Sequence, residues 1–400
     1  MYLSPLSNSQ PDSNPRREKI PGLRTGLWLA GAIVAFAIVF ECFSALFAKG
    51  CKRDATDPDI KKPDGSQEQA ATNTPAKPLL RFVNPTPQPS YADTNSPAVF
   101  MPTASGRQES ALYGATRTDS HGARWHEGVD IAPVKRDSRR KPLDDVFAAA
   151  DGKVAYINKA PGNSSYGRYI VLTHEDPMGW IYTLYAHLDS IEPTLVAGKT
   201  VTAGQVIGRL GYSSSVPGAI NLDRAHMHFE IGVFLNTHYT EYMKARNAPL
   251  THGAWDGRNL VGVNPLSLLN GRAADGTFSM LAELRAQRPA LIATVKIDPA
   301  RPPEYFRHYP DLNELGSGPA PKVASLALLE IAENGVPLRL RPWPDDEPAP
   351  DPKTLPKLFG IDEDALGRNA RGYATKKTGK WELSENGKNF IAQLFYPAKP

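Results

Sequence analysis

Three patterns of apolar residues follow one another along the chain. Residues 27–48, LWLAGAIVAFAIVFECFSALFA, are apolar throughout except for Glu41 and the small Ser44. At about 1.5 Å per residue, a helix of this length spans the roughly 30 Å apolar layer of a bilayer. It is longer than the roughly 7–15 residues of a common signal-peptide core. The pattern predicts a transmembrane signal anchor over 27–48, preceded by a cytoplasmic segment at 1–26. From 49 to 109 no apolar period is sustained, and Pro, Thr, Asp and Lys recur. That is the composition of a disordered linker, able to span roughly 40 Å as a flexible coil. Between 110 and 270 short runs rich in Val, Ile, Tyr and Phe alternate with Gly, Pro, Asn and Asp: VFAAADGKVAYIN, RYIVLTHEDPMGWIYTLYAHL, GKTVTAGQVIGRLG and HMHFEIGVF. Such spacing predicts many short antiparallel strands, with Asp151-Gly152 and Met178-Gly179 at hairpin turns. The expected fold is mainly β, a compact antiparallel sandwich or barrel-like domain.

Beyond 275 the pattern changes again. ASLALLEIAENG, ending at Gly335, and SENGKNFIAQLF, opening at the good N-cap Ser384, read as short amphipathic helices. PWPDDEPAPDP between them reads as an exposed loop, and GYATKKTGKWELSENGKNFI as a hairpin followed by a helix. Residues 275–400 are expected to form a small α+β region, with no role to be read from the sequence.

Charge and cysteine content narrow the functions. The net charge is +4 over 400 residues, and no stripe of basic and aromatic residues accompanies it, so nucleic acid is not an expected partner. Both cysteines, Cys42 and Cys51, lie in or beside the apolar run. A disulfide framework or thiolate metal site further along is therefore excluded, and any metal must be held by His and carboxylates. Arg16, Arg17, Lys19 and Arg24 before the run favour a cytoplasmic N-terminus, although Lys49, Lys52 and Arg53 follow it. AKGC, ending at Cys51, resembles a lipoprotein processing site, which would make Cys51 a lipid attachment point. Either route ties the chain to a membrane.

The candidate chemistry lies in three short stretches. In an extended HMHFE, His226 and His228 share one face, while Met227 and Phe229 point into the other layer. In RWHEGVDIAP, Gly128 disfavours the helix that an H-E-x-x-H site needs, and Val129 and Ile131 favour extended chain. His126 and Asp130, four apart, then share a face. His126, Asp130 and a distant His would give the three nitrogen and oxygen ligands of a catalytic zinc. His187 in YAHL, alone, would be an ordinary surface or satisfied histidine. Metal-assisted amide hydrolysis also needs a group to take a proton from water and another to stabilise the tetrahedral intermediate. His187 and His226 are available for those tasks. His174 fits a turn or cap; His121, His238, His252 and His308 are isolated, and Trp125 and Trp180 suit a core or rim.

The ordered set His126, Asp130, then Tyr185 to Leu188, then His226 to Glu230 resembles the lysostaphin-type, or LytM-like, zinc metalloendopeptidases. DGKV, GKTVTAGQVIGRLG and NPLSLL at 264–269 add to the resemblance, which covers roughly 110–270. It implies an antiparallel β domain of the duplicated hybrid motif type and a peptidoglycan hydrolase that cuts peptide cross-links through a metal-activated water. It also implies one Zn2+ per chain on His126, Asp130 and His228, and a catalytic pair His187 and His226, with supporting roles for Tyr185 and Glu230. Which imidazole takes the proton stays open. The expected protein is a single-pass membrane protein with its peptidase domain on the periplasmic side, in contact with peptidoglycan and the membrane; its oligomeric state is open. A two-membrane envelope would favour D-Ala to diaminopimelate cross-links over glycine bridges. The alternative is a non-catalytic LytM-like module that activates another hydrolase; such copies lack ligands, whereas all five residues are present here. Two stretches depart from the family pattern, VKRDSRRKPLDD after Pro133 and SSSVPGAINLDRA before His226. Both are expected to be loops.

Overall fold

Seven strands build the sheet that carries the candidate site: β1 (Val129–Ile131), β2 (Gly152–Asn158), β3 (Tyr169–Asp176), β4 (Gly179–Ala186), β5 (Thr200–Val201), β6 (Met227–Phe234) and β7 (Leu260–Val263). The computed structural model describes residues 77–119, 122–216 and 218–397. The spatial order is β5-β2-β3-β4-β6-β7, with β1 also on β6, and all pairs are antiparallel. β1 pairs with the first half of β6 and β7 with the second half, so both lie along one edge of that strand. A second, three-stranded sheet of Asp145–Phe147, Val206–Arg209 and Ser190–Ile191 packs Val146 and Ile207 into the same core.

Period-two alternation sorts the central sheet between two cores. Ile170, Leu172, Ile181, Tyr185, Met227, Phe229 and Ile231 enter the large cluster. Tyr169, Val171, Tyr182, Leu184 and Ala186 enter a smaller one on the other face. Asp130, His228 and Glu230 follow the same alternation and place polar groups on the side of the smaller cluster. The fold is mainly β with six short α-helices among the described residues, and its sheets are open rather than closed into a barrel.

The structure departs from the linker reading at 77–109. Phe82, Tyr91 and Phe100 are buried in the large core, and Leu80–Arg81 pairs with Thr277–Phe278. Phe100 bridges Ile131, Met101 N–H donates to Asp130 O at 2.8 Å, and Ala132 N–H donates to Val99 O at 2.9 Å. Proline-rich chain can pack without forming a long element, and here it flanks β1. Asp151-Gly152 is not a hairpin turn but the crossing from the small sheet to the large one. A Cβ on Gly152 would lie 2.5 Å from Thr173 O, so close approach explains that glycine.

In the C-terminal region, residues 326–331 of the expected first helix form a strand. They sit in a four-stranded antiparallel sheet ordered Pro337–Pro342, Leu326–Ile331, Leu291–Lys296, Lys357–Ile361. The second expectation fits: Ala374–Lys377 and Lys380–Leu383 form a hairpin, followed by a helix at Glu385–Leu394 whose N-cap Ser384 accepts from Gly387 N–H. Among the described residues no helix is long and apolar enough to cross a membrane. The expected span at 27–48, both cysteines, residues 49–76 and His121 lie outside the described residues.

Candidate metal centre

Register brings the first two groups together. Asp130 and His228 are direct partners across β1 and β6, and His228 faces Ala186 of β4, whose small side chain leaves room for the ring. The approach is tight, since a Cβ on Gly128 would lie 2.3 Å from Phe229 O. His126, just before β1, has its Nδ1 2.8 Å from Leu112 O; donation there leaves Nε2 facing inward. His126 Nε2, Asp130 Oδ1 and His228 Nδ1 then form a triangle with sides of 3.2, 3.1 and 3.0 Å. Tetrahedral zinc with bonds of about 2.0–2.1 Å sets its ligand atoms about 3.3 Å apart, so the triangle nearly fits such an ion. His126, Asp130 and His228 are all buried, and their donor atoms are close enough together to hold a metal.

The electrostatics fit the same reading. Burial opposes the charge of Asp130, but Arg117 and the nearby imidazoles outweigh it and keep the carboxyl well below the usual range. Arg117 binds the second Asp130 oxygen and also donates to Ser110 O. Burial pushes the His126 imidazole down to about 4. At His228 burial also works against the cation, yet hydrogen bonds to Asp130 and Glu230 prevail and raise it to about 9. Two carboxylates converging on one imidazole make a place where positive charge is stabilised. Glu230 accepts at Oε1 from Tyr166 OH at 2.6 Å and at Oε2 from Tyr182 OH at 2.9 Å, and its Oε1 lies 2.8 Å from His228 Nε2. It thereby turns His228 Nδ1 toward the triangle.

Two more imidazoles border the triangle. His187 leaves β4 with φ +60°, a left-handed conformation uncommon for a non-glycine residue, which takes its ring out of the strand alternation. Its Nδ1 lies 2.9 Å from Ser213 O, and its ring is 4.8 Å from that of His226. His226 Nδ1 lies 2.7 Å from Arg224 O, and its Nε2 is 3.6 Å from Asp130 Oδ2. Donation from each Nδ1 leaves both Nε2 atoms free to act. Burial, reinforced at His187 by the neighbouring imidazoles, keeps both groups below the ordinary histidine value. The five sequence-selected residues are thus neighbours in space.

The family description Peptidase family M23 matches residues 124–241. Residues 124–241 thus form an M23-like domain that resembles the LytM-like peptidases. Among solved structures, the M23 domain is similar to the catalytic domain of the antimicrobial peptidase lysostaphin from Staphylococcus simulans, at 20% identity over 40% of this chain and 89% of that one, TM-score 0.26. It is also similar to a zinc containing peptidase from Vibrio cholerae, at 27% identity over 34% of this chain and 36% of that one, TM-score 0.22. A third is a catalytic domain of the prophage-encoded M23 protein EnpA from Enterococcus faecalis, at 23% identity over 30% of this chain and 76% of that one, TM-score 0.22. The chain thus spans about a third of the Vibrio cholerae peptidase. No curated protein sequence matches it.

The sequence pointed to Glu230 as support but did not disclose Tyr166, Tyr182 or Arg117, which meet the site only through tertiary packing. Tyr185 lies on the far face, where its hydroxyl accepts from Ala149 N–H at 2.8 Å. Glu127 pairs with Arg371 of the C-terminal region at 3.0 Å. The remaining described histidines have partners: His174 and His252 are buried and hydrogen-bonded, while His238 and His308 lie near Glu304. Trp125 is buried against Tyr113, and Trp180 is exposed beside His308.

Proposed function

We propose that the chain is a membrane-tethered zinc metalloendopeptidase that cuts peptide cross-links of peptidoglycan on the extracytoplasmic side. The observation that carries this reading is the triangle of His126, Asp130 and His228 donor atoms with two further imidazoles beside it. His126 Nε2, Asp130 Oδ1 and His228 Nδ1 would hold one zinc, which supplies Lewis acidity at the scissile carbonyl and lowers the pKa of water to about 7. His187 and His226, both neutral near pH 7 by their lowered pKa, are suited to accept a proton from water at Nε2. Once protonated, either becomes a donor to the charged oxygen of the tetrahedral intermediate. The walls of the small core on β4 and β6 keep the ligands out of bulk water. The apolar run at 27–48 supports the tether.

The test uses the full chain purified in detergent, with His187→Ala and His228→Ala. About one zinc per chain and new muropeptides from the wild type alone are expected; mass spectrometry of those products identifies the bond. Metal-free protein that binds the wall without cutting it would replace the enzyme by a binding module. Equal cleavage by both variants would overturn the residue assignment.

A further inference from the structure

The two stretches that depart from the family pattern meet beside His226. Residues 134–145 fold as an ordered hairpin. Arg136 bridges Pro142 across it, and Asp137 Oδ1 accepts the backbone N–H groups of Arg139 and Lys141 at 2.9 and 2.8 Å. The buried Asp144 carboxylate accepts those of Val134 and Lys135. The base of the Arg136 side chain is therefore fixed. Its guanidinium crosses to the other stretch, donating from Nη1 to Leu222 O at 2.8 Å and from Nη2 to Asp223 O at 3.0 Å and Ala225 O at 3.4 Å. Nη1 also donates to Arg140 O at 2.8 Å. The carbonyl left out of this set is that of Arg224, which lies 2.7 Å from His226 Nδ1.

One cation thus gathers the carbonyls on both sides of the one that orients the His226 ring. The segment they belong to is a single 3-10 turn, Leu222–Arg224, held internally by Asn221, whose side chain accepts from Arg224 N–H. So short a turn has little stability of its own. The planar guanidinium fork suits several carbonyls in a row; an ammonium offers its donors from one point and cannot span them.

We infer that Arg136 is a positioning residue for His226. By fixing the turn, it holds Arg224 O where the ring donates from Nδ1, and so keeps Nε2 turned toward Asp130. The claim concerns a site read here as a peptidase centre and rests on that reading for its catalytic consequence.

The experiment compares the full chain with Arg136→Ala, Arg136→Lys and the exposed Arg139→Ala from the same hairpin. Metal content, kcat and KM on muropeptides, and the ring ¹⁵N shifts of His226 at fixed pH are measured, the signal being assigned with His226→Gln. Both Arg136 variants should load metal as the wild type does and keep KM within about twofold. Their kcat should fall roughly ten- to a hundredfold, the scale of a small misplacement of a catalytic group. The His226 ring should pass from one tautomer to a mixture, and Arg139→Ala should match the wild type throughout. Unchanged kcat and ring shifts in Arg136→Ala would overturn the inference. Loss of metal or of folding in both Arg136 variants would overturn it as well, leaving Arg136 a purely structural role. If the wild type cuts nothing, the peptidase reading fails by itself, and the ring shifts still decide whether Arg136 positions His226.

Discussion

Glu230 shows how much of the candidate centre depends on residues that would not touch a metal. It is fully buried, and burial works against its charge, but the bonds from His228, Tyr166 and Tyr182 keep its carboxyl below the usual value. Replacing it by Gln keeps the shape and removes the charge that directs His228. Zinc affinity should then fall roughly ten- to a hundredfold, measured by competition with a chelator; an unchanged affinity would exclude the orienting role. His174 makes a separate prediction, away from the centre. Its Nδ1 lies 2.8 Å from Asp151 O and its Nε2 2.8 Å from the Thr183 hydroxyl, and burial pushes the imidazole down to about 4. Between about pH 6.5 and 4 the unfolded chain binds a proton that the folded chain refuses. Stability should therefore be indifferent to this group above pH 6.5 and fall on acidification, by roughly 3 kcal/mol at pH 4. Urea unfolding at pH 7.5 and 4.5 checks this: His174→Gln should lose less stability on acidification than the wild type, and parallel losses would refute the assignment.

At the scale of elements, the pairing of β1 with β6 determines whether the candidate ligands Asp130 and His228 meet. Gly128 sits at the entry to β1, and an added methyl would collide with Phe229 O on β6. Gly128→Ala should push the strands apart, at a cost of about 1–3 kcal/mol, with loss of metal binding. Thermal unfolding and metal content measure the two effects, and retention of both would mean that the strands accommodate the added methyl. The same strands explain what could be read from sequence. HMHFE was legible because alternation with period two is a local property, and it placed His226 and His228 apart from Met227 and Phe229 before any partner strand was known. ASLALLEIAENG was misread because Leu328, Ile331 and Ala332 satisfy the i, i+3, i+4 spacing of a helix as well as a strand buried on both faces. Its neighbours decide the matter: Leu326–Ile331 is buried throughout, and Glu330 pairs with Arg339 and Arg341 at 2.7 Å from the strand beside it. The packing of 77–109 was hidden for a similar reason. Its hydrogen bonds go to distant backbone, such as Val83 N–H to Ala149 O and Met101 N–H to Asp130 O, and leave no period in the sequence.

At the scale of the whole molecule, the C-terminal region shares its core with the M23 domain. Leu284, Leu291, Tyr305 and Leu394 belong to the same buried cluster as Val129 and Phe229. The Tyr309 hydroxyl donates to Trp180 O and accepts from Phe234 N–H, joining the region to the ends of β4 and β6 remote from the centre. Gln393 donates to Arg258 O and Asn259 Oδ1. A chain ended after residue 275 should expose this core, binding a hydrophobic dye and unfolding without a cooperative transition, whereas a sharp transition would show that the M23 domain folds alone. A narrower test lies near the centre itself. Arg371 Nη1 meets Glu127 Oε1 at 3.0 Å, its Nε donates to Asn334 O, and the two side chains are 19% and 25% exposed. Glu127 follows the candidate ligand His126, so the pair ties the C-terminal region to the segment that enters β1. Because both groups are mostly buried, removing either leaves the other poorly solvated. Arg371→Ala and Glu127→Gln should each destabilise the chain, and the double variant should lose less than their sum. A coupling of about 1–3 kcal/mol in a double-mutant cycle of urea unfolding is expected for residues in direct contact. Strict additivity would mean that this pair does not help to dock the C-terminal region, leaving that task to Tyr309, Gln393 and the shared core.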